Sequence, residues 1–228
     1  MKLEKVTDAR PSVPKRRYGD ACGTAHALEL IGERWTLLVL RELMLGSRRF
    51  SDLRGDLPGI SANVLTQRLA ELEDRGLVVR KKLPPPASVQ VYEATPWGLE
   101  AEPIVQSLGR WAARSPGHDP TLPLSGVSLM LSFGTMFDAE RGKKFDGRIG
   151  FRLGPDSYLV RIRKGRFKVT RSEAGASDAL FTASPTAIAA VVYGGAPIDT
   201  VLIEGDRQMA ERFVKLFPLP DKVGAVAS

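Results

Sequence analysis

At Gly76 the periodicity of the chain changes, and that change limits the possible folds more than any other feature. Ahead of it lie four segments with apolar residues at helical spacing, and directly after it come two short strand-like runs. Ala25, Leu28 and Ile31 recur at every third residue before Gly32. Leu37, Leu38, Leu40, Leu43 and Met44 populate a second helix expected over residues 35–45 and stopped by Gly46. Phe50, Leu53 and Leu57 share one face of a short third helix. Pro58-Gly59-Ile60 then makes a tight turn, and Ser61 is placed to cap a fourth helix that reaches Arg75. Beyond Gly76, residues 77–83 and 89–94 flank Pro84-Pro85-Pro86 as two strands around a loop.

Two helices joined by a short glycine-containing turn and followed by a hairpin predict a winged helix-turn-helix. The fourth helix has two chemically distinct sides. Leu65, Leu69 and Leu72 form the side that packs on the first three helices. The other side carries Ala62, Asn63, Thr66, Gln67 and Ala70, short or amide-bearing and uncharged. Such a face can approach base edges in a major groove, where amides pair with adenine. A merely solvated helix face would carry Lys and Glu, but here the acids Glu71, Glu73 and Asp74 are gathered at the far end. Arg68 and Arg75 flank the stripe, Arg48 and Arg49 precede the third helix, and Arg80, Lys81 and Lys82 lie on the wing; each is a candidate phosphate contact. Lysines on the hairpin also have a structural reading, protection of an exposed strand edge.

Thr95-Pro96 opens a further helix to about Ala113, which Pro103 kinks or restarts. Its stripe of Ile104, Leu108, Trp111 and Ala112 is larger than a helix on one small domain needs. Ser115-Pro116-Gly117-His118-Asp119-Pro120 has the composition of a linker and sets the expected boundary. The organisation read from the sequence is a basic arm over 1–20 containing Lys15-Arg16-Arg17, a winged-helix domain over 21–115, and an α+β domain over 122–220. The arm reads either as a mobile tail or as a contact to DNA phosphates.

In the second half, residues 127–137 predict an apolar helix, and residues 147–153, 158–163 and 167–171 predict a meander of three strands. Residues 179–182 add a fourth strand, Ser184-Pro185 starts a helix through Val192, and residues 206–216 form the last helix.

Charge agrees with a polyanion partner. The 228 residues carry a formal net charge of +7 and a pI of about 9.7. Cys22 is the single cysteine and His26 and His118 are the only histidines, so neither an intrachain disulfide nor a four-ligand Cys/His zinc site is expected. No metal or cofactor is expected either. The start, Met1-Lys2-Leu3-Glu4-Lys5, lacks the apolar segment of a secretory signal, and no apolar run approaches the ~20 residues of a membrane span. The expectation is a cytoplasmic protein with no membrane partner.

The runs Cys22-Gly23-Thr24-Ala25, Ile31-Gly32-Glu33-Arg34-Trp35-Thr36-Leu37-Leu38, Arg48-Arg49-Phe50-Ser51-Asp52-Leu53, Leu57-Pro58-Gly59-Ile60-Ser61, Leu65-Thr66-Gln67-Arg68-Leu69, Gly76-Leu77-Val78 and Thr95-Pro96 together resemble the HxlR family, a MarR-related group of winged-helix regulators. The resemblance covers about residues 20–115. It implies a homodimeric transcription regulator, such as a repressor, that reads two half-sites of double-stranded DNA. The N-terminal segment and the helix after the wing would build its interface. Some members use a cysteine at the position of Cys22 to sense oxidants; the alternative for Cys22 is a small buried hydrophobe.

Residues 122–220 resemble the sterol carrier protein family through their element order, Ala183-Ser184-Pro185-Thr186-Ala187-Ile188 and Ile203-Glu204-Gly205-Asp206, with a segment between Tyr193 and Glu204 that is short for that family. That resemblance implies an apolar cavity, which Leu129, Phe133, Phe137, Phe151, Val191 and Phe213 would line for a small-molecule effector; the same residues read equally as core filler. The competing function is a lipid-binding protein with a secondary DNA module. Catalysis is not expected, because no G-x-S-x-G, P-loop, H-E-x-x-H or dinucleotide motif occurs, and Glu204 and Asp206 suit capping of the last helix.

Overall fold

The computed structural model describes residues 18–173, 175 and 177–224. The expected basic arm falls outside these apart from Tyr18, Gly19 and Asp20.

The first half comprises α1 (Gly23–Ile31), α2 (Thr36–Glu42), α3 (Phe50–Asp56), α4 (Ala62–Asp74), β1 (Val78–Lys82), β2 (Gln90–Ala94), α5 (Pro96–Leu99) and α6 (Glu102–Ala113). Local chemistry explains most boundaries. The Ser61 hydroxyl accepts the Val64 N–H at 3.2 Å and opens α4. Leu65, Leu69 and Leu72 of that helix are buried among Val39, Leu40, Leu43 and Leu53. Gly76, at φ +73°, stops the helix and turns the chain into β1. β1 and β2 pair antiparallel from Val78–Ala94 to Lys82–Gln90, and Arg48 adds a bridge to Tyr92 at the side of the hairpin. Thr95 then serves two elements, accepting the Gly98 N–H at 3.0 Å and donating to the Gly76 carbonyl at 2.7 Å. Gly98 is required there, since a Cβ would stand 2.1 Å from the Leu77 carbonyl oxygen. Pro103, in the first turn of α6, marks a restart rather than a kink in one helix.

The second half comprises α7 (Gly126–Met136), α8 (Ala139–Gly142), β3 (Gly147–Leu153), β4 (Asp156–Arg163), β5 (Arg166–Arg171), β6 (Ala179–Thr182), α9 (Pro185–Tyr193), β7 (Leu202–Gly205) and α10 (Arg207–Phe213). The sheet order is β5-β4-β3-β6-β7, with β3 and β6 parallel and the other pairs antiparallel. α7 packs against β5 and α10 against β6 and β7, while α9 packs on α7. The short α8 and β7 were not expected. Four residues give no helical period for α8, and β7 keeps only Ile203 partly covered, so neither shows an apolar pattern.

The two halves share a continuous apolar core. α7 packs against both α2 and α6. Gly126 lets its first turn meet β4, since a Cβ there would lie 2.9 Å from the Tyr158 hydroxyl. Polar contacts cross the same seam: the Ser125 hydroxyl donates to buried Glu42 at 2.9 Å, and Arg48 donates to both Asp156 oxygens at 2.8 Å.

Candidate nucleic-acid interface

α4 presents Ser61, Asn63, Thr66 and Gln67 to solvent, with Ala62 partly covered between them. The packing that fixes this orientation is the leucine side of the helix against α2 and β1. The Thr66 hydroxyl donates to the Ala62 carbonyl at 2.9 Å, which turns its methyl outward; the Gln67 amide donates to Glu71 at 3.0 Å and leaves its carbonyl available. The expected phosphate contact at Arg68 is engaged elsewhere, since its guanidinium donates to Glu71 at 2.6 Å and is largely buried. Arg75 likewise donates to the Leu30 carbonyl at 2.5 Å and ties α4 to α1.

On the wing, Arg80, Lys81 and Lys82 are all exposed. Lys81 pairs with Glu93 at 2.7 Å and Arg80 with Glu73 at 3.7 Å, whereas Lys82 has no ion pair among the described residues.

Arg48 and Arg49 part company. Arg49 is exposed before α3. Arg48 is buried, with its guanidinium between Asp56 of α3 and Asp156 of β4. Burial opposes its charge, but the two carboxylates outweigh that effect and hold it protonated beyond the usual arginine range. Arg48 is therefore a seam residue and not a phosphate contact. The cause is local: its backbone pairs with Tyr92, and neighbours in an extended segment point to opposite sides. Two adjacent arginines in such a segment cannot both face DNA.

Cys22 is exposed at the N-terminus of α1. Hydrogen-bond donors at the Thr24 amide, the Thr24 hydroxyl and the Ala25 amide pull its thiol below the ordinary range. α6 leaves Ile104 (48% exposed), Leu108 (45%) and Trp111 (74%) open to solvent, together with Ala112.

The six residues expected to line an apolar pocket are packed core. Phe133 lies 5.7 Å from Phe151, 5.6 Å from Phe213 and 4.7 Å from Phe217, ring centre to ring centre. Leu129 and Val191 are buried beside them, and partly covered Phe137 meets Phe217 at 6.1 Å. A cavity of about 610 Å3 lies instead at the seam, between Gly55, Asp56 and Pro58 on one side and Ser125, Arg152 and Ser184 on the other. The aromatic spacing in the sequence could not separate filled core from open volume. Among the described residues no group of His, Cys, Asp or Glu side chains is arranged to hold a metal ion, and no helix is long and apolar enough to cross a membrane.

Comparison with known proteins gives the same reading of the first half. The profile of the HxlR-like helix-turn-helix family matches residues 30–119. An uncharacterized HTH-type transcriptional regulator of Bacillus subtilis, YvaP, is 36% identical over 86 residues, which are 38% of this chain and 80% of that protein. The HTH-type transcriptional regulator YodB of the same organism is 35% identical over 86 residues, covering 38% of this chain and 77% of YodB. The solved reduced form of YodB superposes with a TM-score of 0.39 at 31% identity, over 44% of this chain and all of that one. With the helix order, the capped fourth helix and the wing in place, the chain belongs to the HxlR-like helix-turn-helix family of DNA-binding transcriptional regulators.

Proposed function

We propose that the protein is a homodimeric, sequence-specific regulator in which α4 reads base edges and the wing holds phosphates. The observation that carries this reading is the uncharged, solvent-facing stripe of Asn63, Thr66 and Gln67 beside the cations of β1. Arg49 and Lys82 are the best-placed phosphate contacts, since neither has an ion-pair partner among the described residues. The open stripe of Ile104, Leu108 and Trp111 supports dimerisation through α6, because apolar area this contiguous marks an interaction surface. A dimer would place the two α4 helices on half-sites about one helical turn apart.

Two inputs suit such a regulator. Cys22 is accessible and carries a lowered pKa, as an oxidant sensor requires. A sterol-carrier-like second domain is supported by helices packed on one face of a five-stranded sheet, but its aromatic core is filled. A small-molecule effector therefore fits the seam cavity, whose wall at Gly55, Asp56 and Pro58 leads directly into α4.

The test is selection of bound fragments from genomic DNA, followed by footprinting. Asn63→Ala and Gln67→Ala are expected to relax sequence preference, while Lys81→Ala with Lys82→Ala weakens binding to all sequences alike. Equal effects of both classes on every sequence would overturn the assigned roles.

A further inference from the structure

The face of the β-sheet opposite the helices carries a cluster of cations on β3, β4 and β5. Residues 147–171 carry eight Lys or Arg and one acid, Asp156. Alternation along the strands buries Ile149, Phe151, Tyr158, Val160 and Ile162 and turns Arg148, Arg152, Arg161, Arg163, Arg166 and Lys168 to the other side. The register then sets like charges opposite one another: Arg148 faces Arg161, Arg161 faces Lys168, and Arg163 faces Arg166. Arg148, Arg152 and Arg163 have carboxylate neighbours in Asp178, Glu204 and Asp146. Arg161, Arg166 and Lys168 have no ion pair among the described residues.

Directly opposed like charges destabilise a strand pair, so folding alone gives no reason for this arrangement. Edge protection accounts for Arg166 and Lys168 on edge strand β5, but not for Arg161 on the interior strand β4. We infer that this face is a second phosphate-binding surface, which holds duplex DNA flanking the site read by α4.

Position and chemistry favour DNA. β4 starts at the seam, where Asp156 meets Arg48, and Arg171 at the end of β5 donates to the Ser47 carbonyl at 3.4 Å. Arg48 is itself bridged to the wing through Tyr92. Five residues along β4 place Arg161 about 17 Å from that seam, roughly half a turn of duplex. The row Arg148–Arg161–Lys168 spans three strands, about 10 Å. No exposed aromatic interleaves these cations, as a surface inserting into a bilayer would require.

The inference rests on DNA reading by α4, and the test separates the two. The full chain and the variant Arg161→Gln/Arg166→Gln/Lys168→Gln are titrated, over a range of salt, with a duplex trimmed to the footprint and with the same duplex extended by two helical turns on each side. Both proteins are expected to bind the trimmed duplex equally, which isolates the α4 reading. On the extended duplex the variant's log–log salt slope should be shallower by up to about 2.7, so the wild type loses about 40-fold more affinity between about 50 and 200 mM salt. The variant should melt at the same temperature or higher, because opposed like charges are removed. Identical slopes on the extended duplex, or a lower melting temperature, overturn the proposal. So does loss of binding to anionic phosphatidylserine vesicles with the DNA slope retained, which would assign the face to a membrane.

Discussion

Replacing Arg48 by Met tests whether this arginine joins the two halves or touches DNA. Methionine keeps an apolar stem of similar reach but removes the guanidinium, which donates to both oxygens of Asp156 at 2.8 Å and to Asp56. The two carboxylates are then left together without their main cation; Arg171 stays 4.0 Å from Asp156. Removing one partner of a fully buried ion pair costs about 3–5 kcal/mol. The Arg48 side chain is 8% exposed, but Asp56 and Asp156 are 23% and 20% exposed, so water recovers part of that cost. A loss of about 2–3 kcal/mol follows once exposure is discounted. For a chain of this size each kcal/mol moves the melting temperature by about 2–4 °C, giving a drop of about 4–12 °C. Urea unfolding and calorimetry measure it. Asp156→Asn, which leaves the Asp56 pair intact, should lose less, and Arg49→Met should lose almost nothing. If Arg48→Met melts with the wild type yet binds DNA more weakly and with a shallower salt slope, Arg48 is a phosphate ligand and the seam argument is wrong.

Three further outcomes are expected. Leu108→Asp combined with Trp111→Glu should convert the protein to a monomer by light scattering and reduce DNA affinity, with an unchanged circular dichroism spectrum; a dimer that survives would remove α6 from the interface. Burial, opposed by hydrogen bonds from Arg41 and Ser125, holds Glu42 above the ordinary carboxylate range. A raised acid stabilises the fold when protonated, so the stability advantage of Glu42→Gln should be largest above the raised pKa and fade as pH falls through it towards the ordinary one; a pH-independent difference contradicts this. The Cys22 thiol should be alkylated by iodoacetamide at neutral pH faster in the native protein than in urea, where the Thr24 and Ala25 donors are lost; an equal or slower native rate removes the basis for a sensor.

Local physics made much of the molecule legible in the sequence. Apolar spacing and the caps Ser61 and Ser184-Pro185 set α4 and α9 within a residue or two of where they stand, the helix expected from Thr95-Pro96 to Ala113 is divided into α5 and α6, and alternation set β3, β4, β5 and β6. The division of α4 into a leucine side and an amide side was also written there, because helical period alone determines which residues share a face. Period does not say what a face meets. Phe133 and Trp111 are both aromatic residues on helical stripes, yet one is sealed among three phenylalanines and a tyrosine while the other stands open. Arg48 and Arg49 are chemically identical, and only the bridge to Tyr92 sends one into the seam and the other outward. The parallel pairing of β3 with β6 and the cavity beside Asp56 likewise join residues far apart in the chain. Such contacts depend on how whole elements dock, and docking is settled by the sum of many weak packing energies that no single stretch of sequence contains.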